Sequence, residues 1–256
     1  MKNTILKQEG KTLTQGSPAI TRVRHENVRK RTLDVISVKD ITPNMRRIVL
    51  HSPELHDFVS SSPDDHVKLF FPSGAEKPLM KDYTPRSFDT EANTLTIDFA
   101  MHELDDIGPA TLWALNAKRG TQLTIGGPRG SAVISDAFDW YLLIGDETAL
   151  PAIGRRIEES RAKCDVISLV VVDSELEKQT FVSKANWTGH WVFRDIDGQD
   201  DAENLSKLIA SIIPSSGNGF VWIAAEAIVA KSLRAYMVDT QNFSINSVKA
   251  SGYWVK

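Results

Sequence analysis

Three short segments of this 256-residue chain combine side chains in ways that suit a flat, phosphate-bearing ligand. Tyr83-Thr84-Pro85-Arg86 puts a ring, a hydroxyl and a guanidinium within four residues, where a strand is expected to begin. A tyrosine ring can lie against an isoalloxazine, and the neighbouring hydroxyl can bond a flavin or its ribityl chain. Arg86 lies two residues beyond Thr84, so on a strand both point to one face and the planar fork can grip a pyrophosphate. An ordinary strand start with a surface arginine would look the same. Gly108-Pro109-Ala110-Thr111 opens a predicted helix, and its free N–H groups, small side chains and hydroxyl make an anion site suited to a diphosphate. A plain helix start is the alternative. Asp98-Phe99-Ala100-Met101-His102 precedes it on one strand and offers partners to an adenosyl group; His102 alone equally suits a satisfied structural histidine.

Two further segments sit at expected junctions. Gly126-Gly127-Pro128-Arg129-Gly130 is a tight turn that holds Arg129 outward, or simply a linker. Gly145-Asp146-Glu147-Thr148-Ala149-Leu150-Pro151 follows an apolar strand and opens a helix, at the carboxyl end where parallel sheets bind ligands. It lacks G-x-G-x-x-G, so a tightly held dinucleotide is not expected there; an edge of a flavin or a transient nicotinamide is. The sequence shows no Ser-His-Asp or Cys-His nucleophile arrangement and no His/Cys spacing typical of zinc, so neither a catalytic side chain nor a resident metal is expected.

These segments need elements to position them. From Arg31 to about Gly130, runs such as RTLDVISVKD, MRRIVLHS, DHVKLFFP, NTLTIDFAMH and TQLTIGG alternate apolar with polar and are separated by turn residues. With one helix over PATLWALNAK, they predict a six-stranded antiparallel β-barrel over residues 31–132. After about Ala137 the rhythm changes. WYLLIG, DVISLVVVD and GFVWIAA are apolar on both faces and alternate with helical segments, predicting an α/β domain with a parallel sheet over 138–256. The barrel followed by a parallel sheet is the plan of ferredoxin–NADP reductase.

Composition excludes several classes. At 41% hydrophobic and 25% charged the chain is globular in character, neither collagen-like nor disordered. The net charge is −3, but residues 1–31 carry +6 and the remainder −9, so an anion-binding patch on the body must be local. Residues 1–30 read as a mobile basic tail; without interleaved aromatics it does not suggest nucleic-acid binding. One cysteine, no signal-like N-terminus and no stretch long enough to span a bilayer lead to the expectation of a cytoplasmic, membrane-free protein. The lack of a long apolar heptad suggests a monomer.

In order, the segments DDHVKLFFP, DYTPRSFD, LTIDFAMH, GPATLWA, GPRG, GDETALPAI, WIAAEA and SGYW resemble the siderophore-interacting protein family, the FAD-containing ferric-siderophore reductases. The likeness covers about residues 31–254. It implies FAD held by Tyr83, Thr84, Pro85, Arg86, Asp98, Phe99, Ala100, His102, Gly108, Pro109, Ala110 and Thr111. The electron-donor side would lie near Asp146, Glu147, Thr148 and Trp254. It implies electrons from NAD(P)H or reduced ferredoxin, passed singly to a hydroxamate or catecholate ferric siderophore so that Fe(II) is released. Fe(II) is softer than Fe(III) and binds hard oxygen ligands less tightly. Lys68, Arg129 and Lys249 are the expected basic contacts to that substrate, although each also suits a solvated surface charge.

Overall fold

A computed structural model of the chain describes residues 18–72, 77–101, 107–194 and 201–255. In the first lobe the alternating segments become β1 (Ile20–Arg24), β2 (Lys30–Thr42), β3 (Met45–His51), β4 (Val67–Phe71), β5 (Leu79–Tyr83), β6 (Ser87–Asp89), β7 (Thr94–Ala100), β8 (Gln122–Gly126) and β9 (Gly130–Ile134). The helix α1 (Pro109–Asn116) interrupts them, with Gly108 before it and Pro109 in its first turn. Seven strands form one antiparallel sheet in the order β5-β4-β8-β2-β3-β7-β6. Alternate residues of each strand point inward and fill the interior with Leu33, Val35, Ile48, Leu69, Ile97, Phe99, Leu123 and Ile125.

The outermost strands, β5 and β6, are consecutive in the chain and joined only by Thr84, Pro85 and Arg86. Three residues reach little more than about 14 Å from the last residue of one strand to the first of the next, so the two sheet edges must lie side by side. The sheet is therefore rolled up. With β5 and β6 counted as one strand interrupted at Thr84–Arg86, this is the expected six-stranded barrel, with its seam at the Tyr83-Thr84-Pro85-Arg86 segment.

The second lobe contains β10 (Trp140–Asp146), α2 (Leu150–Glu159), β11 (Asp165–Val172), β12 (Asn186–Phe193), α3 (Asp201–Ile212), β13 (Gly219–Glu226), α4 (Ala227–Ala235) and β14 (Val248–Trp254). Its five strands are all parallel, in the order β12-β11-β10-β13-β14. Every residue of β10 is buried, as a strand covered on both faces requires. Tyr141 and Leu143 pack on one side with Ile153 and Ile157 of α2; Leu142 and Ile144 pack on the other with Leu205, Ile209 and Leu233. Because β10 lies centrally while β11 and β13 flank it, the strand order reverses between β10 and β13. That reversal is where such sheets open a crevice.

The N-terminal segment departs from expectation. Residues 1–17 lie outside the described residues, but within the supposed tail Ile20–Arg24 form β1, antiparallel to β9. Arg29 and the buried Arg31 both bind Asp57, with Arg31 Nη2 3.0 Å from Oδ1. A basic, polar run gave no burial signal because β1 buries little of itself: it gains its place by backbone pairing to a strand more than a hundred residues away.

The Arg29 and Arg31 guanidiniums, with the Arg29 hydrogen bonds counting most, hold the Asp57 carboxyl at about 2, below its ordinary 3.8. A lowered folded value means the pairing stabilises fully above pH 3.8 and is lost as pH falls through 2. Asp57→Asn is therefore expected to be less stable than the parent near neutral pH, with the two converging as pH approaches 2 in urea unfolding. A constant gap across that range would contradict the pairing.

Candidate functional site

A cavity of about 1450 Å³ lies between the lobes and draws its walls from both. From the barrel come Tyr83 and Thr84 at the seam, Asp98 and Ala100 on β7, Gly108, Pro109, Ala110 and Thr111 at the start of α1, and Arg129 on the turn before β9. From the parallel lobe come Thr148, Pro151, Lys249, Ser251, Tyr253 and Trp254. Residues from at least five separate elements thus converge on one space.

The seam supplies an aromatic platform. Tyr83 rests on the buried Phe99, their ring centres 4.6 Å apart at 38°, and burial pushes the Tyr83 phenol up. Phe99 itself supports Tyr83 from behind and does not reach the cavity. At α1, Gly108 is the cap residue, and among the described residues no side-chain cap bonds the first N–H groups. A Cβ at Gly108 would meet nothing within 4 Å, so the approach to these donors is open. Uncapped donors, a small-residue surface and a ring beside them fit the diphosphate and the flat ring system of FAD. The donor set at this cavity is the right chemistry for that group.

The Lys249 side of the cavity carries a hydrogen-bonded chain that crosses the lobes. Lys249 forms an ion pair with Asp64, whose other oxygen accepts from Tyr253 Oη at 3.0 Å. Thr84 hydrogen-bonds Tyr253, and burial pushes that phenol up. Burial and the nearby charge of Arg22 push the Lys249 ammonium down to about 8, against the pull of Asp64. Arg129 is exposed on the Gly126–Gly130 turn, where Gly127 has φ +95° and the Gly127–Pro128 peptide is cis.

Asp146, expected to meet the ligand, instead organises the sheet's ends. Its carboxylate accepts from Thr148 N at 2.9 Å, from the backbone of Glu226 at 3.2 Å and from Trp254 Nε1 at 2.9 Å. It is buried and fixes Trp254 against the cavity rather than lining it.

Several expected site residues point elsewhere. Arg86 was to grip a pyrophosphate; its Nη1 and Nη2 each lie 2.7 Å from the Glu158 carboxylate of α2, and it takes no part in the cavity wall. A bidentate carboxylate satisfies the same fork that a phosphate would. Pro85 is buried at the seam, with its carbonyl accepting from Arg155 at 3.1 Å. Glu147 faces away, paired through both oxygens with Arg194 at 2.8 and 3.0 Å; burial pushes its carboxyl up while Arg194 opposes that. Lys68 pairs across β4 and β5 with Asp82 at 2.7 Å and does not line the cavity. Asp98 does line it, with its carboxylate held by Arg47 through two 2.7 Å bonds. His102 lies outside the described residues.

Other lining residues went unnoticed in sequence. Arg22 and Arg24 fall in the segment read as a tail, Lys81 stands beside Tyr83 without a role in that reading, and Asp64 and Tyr253 lie within the segments DDHVKLFFP and SGYW with no individual role expected. For Lys81 the signal existed: two residues before Tyr83 on a strand, it shares that residue's face. Among the described residues no group of three or more His, Cys, Asp or Glu is arranged to hold a metal, and no helix is long and apolar enough to cross a membrane.

With this geometry in view, comparison with known proteins is direct. Residues 138–256 match the family described as siderophore-interacting protein, and residues 34–79 and 72–132 match the siderophore-interacting FAD-binding domain. An NADPH-dependent ferric-chelate reductase of Escherichia coli is 32% identical over 254 residues, covering 91% of this chain and 95% of that protein. The crystal structure of a siderophore utilization protein from T. fusca is similar at TM-score 0.83 and 31% identity, covering 92% of this chain and 97% of the other. A ferredoxin NADP+ reductase from Neisseria gonorrhoeae, 12% identical, shares the two-lobed fold at TM-score 0.60 over 88% of this chain and 99% of its own.

Proposed function

The chain belongs to the siderophore-interacting protein family, and on that premise we propose that it is an FAD-dependent ferric-siderophore reductase whose single working cavity is the one between its lobes. The observation that carries this reading is the convergence, in that cavity, of an aromatic seam, an uncapped helix start and basic side chains.

FAD held in this cavity would supply the redox chemistry between an electron donor and the ferric iron. Tyr83 and Thr84 orient the ring system at the barrel seam, and the first N–H groups of α1, with Thr111, hold the diphosphate. Trp254, fixed by Asp146 and lining the cavity from the parallel lobe, would bound the ring system on that side. Arg129 and Lys249 draw a ferric complex to the exposed edge. One-electron reduction leaves Fe(II), which hard oxygen donors release far more readily than Fe(III). No side-chain nucleophile is needed. NAD(P)H and reduced ferredoxin are the candidate donors; the name of the Escherichia coli relative makes NADPH the first to test. We place the protein in the cytoplasm as a monomer, where reduced donors are available.

The purified protein is expected to be yellow and to release FAD, not FMN, on acid treatment and chromatography. With its flavin chemically reduced, it is expected to be reoxidised anaerobically by a ferric siderophore, with Fe(II) trapped by a chromogenic chelator. Recovery of FMN sinks the cofactor assignment, and binding without reoxidation marks a carrier instead of a reductase. Arg129→Ala is expected to raise KM for an anionic complex while flavin content stays unchanged, and added salt should slow the parent more than the variant.

A further inference from the structure

We propose that β1 is an electropositive wall of this cavity, and that Arg22 and Arg24, facing Lys249 and Arg129, make the site select ferric complexes of net negative charge over neutral ones. This rests on the reading of the cavity as a ferric-siderophore site and names the class of siderophore that it takes. The segment lies before residues 34–132 and 138–256, so the family match assigns it no role.

Register places both arginines. β1 runs antiparallel to β9 with Arg22 opposite Ala132 and Arg24 opposite Gly130. Residues two apart on a strand share a face, and both arginines line the cavity. Arg22 lies near enough to Lys249 for its charge to act on that ammonium. Like charges held together in this way favour a multiply charged anion between them.

The cavity's carboxylates cancel these charges only in part: Asp64 neutralises Lys249, and Asp65, bonded to neutral serine donors, keeps its own negative charge against Arg22, Arg24 and Arg129. Asp64 is engaged by Lys249 and Tyr253, Asp82 by Lys68, and Asp98 by Arg47. Asp65 accepts from Ser60, Ser62 and Ser131. Arg22, Arg24 and Arg129 have no salt-bridge partner among the described residues. To the cations that the body supplies, Lys81 and Arg129, the N-terminal segment adds Arg22 and Arg24.

The seat of β1 is built into the fold. A Cβ at Gly130 would lie 2.4 Å from the Val23 carbonyl oxygen, so the two strands approach as closely as only glycine permits. Beyond the strand, His25 N donates to Arg129 O at 3.1 Å, and the His25 ring contacts Pro128 O at 3.3 Å and Ser131 Oγ at 3.0 Å. At the other end Ser135 N donates to Ala19 O at 2.9 Å. The arginines are thus presented on a fixed strand, which lowers the ordering cost of meeting a ligand.

The chemistry then selects. Three doubly charged catecholates around a trivalent metal leave a trianion; three singly charged hydroxamates leave a neutral complex. Only the trianion gains from the wall.

The test uses holoprotein, with its flavin, in equilibrium dialysis against gallium(III) complexes of a tris-catecholate and a tris-hydroxamate chelator. Gallium(III) carries the charge of Fe(III) but is not reduced, so binding is read apart from turnover. The parent is expected to bind the trianion the more tightly at low salt. The variant Arg22→Gln/Arg24→Gln is expected to lose about tenfold for the trianion, to change little for the neutral complex and to keep its FAD. Equal binding of both complexes, unchanged by the variant, overturns the wall while leaving the siderophore site standing. Loss of FAD from the variant also overturns it, since the arginines would then serve the cofactor. If the parent binds neither complex, the underlying siderophore reading falls and the proposal with it.

Discussion

Arg155→Ala is expected to lower the stability of the protein by about 3 kcal/mol, a fall of about 6–12 °C in Tm for a chain of this size. Arg155 lies on α2 in the parallel lobe and is buried, but its guanidinium serves the barrel. Nη1 donates to Ser60 Oγ at 2.7 Å and to the Pro85 carbonyl at 3.1 Å, and Nη2 to the Ser60 carbonyl at 2.9 Å. Nε donates to Glu159 at 2.7 Å, and the planar group lies 5.6 Å from the Phe88 ring centre. Truncation strands two buried carbonyls without a donor, and an unsatisfied buried group costs about 1–3 kcal/mol. The Glu159 bond is half exposed and adds little. Arg155→Lys, with one ammonium in place of a fork, should recover only part of the loss. Thermal unfolding of the three proteins at one flavin concentration checks this, and a fall under about 1 kcal/mol for the alanine variant would remove Arg155 as the tie between lobes.

Tyr83→Ala is expected to weaken FAD binding by about ten- to a hundredfold, the value of one buried aromatic ring. The backbone of Tyr83 is secured by its pairing with Val67, and one face of its ring is supported by Phe99. The ring therefore offers its free side to the cavity at little ordering cost. Removing it leaves Phe99 deeper than the missing surface, so nothing takes its place. Tyr83→Phe keeps the platform and should keep the affinity. Titrating FAD into apo-protein and following flavin fluorescence gives all three constants. Equal affinity of the alanine variant and the parent would place the ring system away from the seam.

Much of this was legible in sequence because it depended on local pattern. Period-two alternation marked β2, β3, β4, β7 and β8, and runs apolar on both faces marked β10, β11 and β13. Gly108-Pro109 correctly opened α1, and the turn before β9 held Arg129 outward. Where Arg86 and Glu147 lie outside the cavity wall, the physical cause is shared: each finds a charged partner across a long sequence separation. Arg86 and Glu158 are 72 residues apart, and Glu147 and Arg194 are 47 apart. Nothing local distinguishes a guanidinium that waits for phosphate from one already gripped by a carboxylate. β1 was missed for the complementary reason, since a strand that buries little carries no hydrophobic period. Its signal, in retrospect, was the glycine at 130 that makes room for it.

The barrel seam has a consequence for self-association. Among the described residues no strand pairs with the side of β5 away from β4, and on that strand Leu79 and Met80 are 47% and 53% exposed. Such an edge is a template for a second copy, and charges placed on it are the usual safeguard. Here Lys81 and Asp82 follow the two apolar residues directly, so pairing β5 with another β5 would bury charge along with backbone. Replacing both with apolar residues should therefore favour edge-to-edge assembly, with light scattering rising with concentration. The same two charges that look incidental beside the aromatic platform would then oppose pairing of the seam with a second copy.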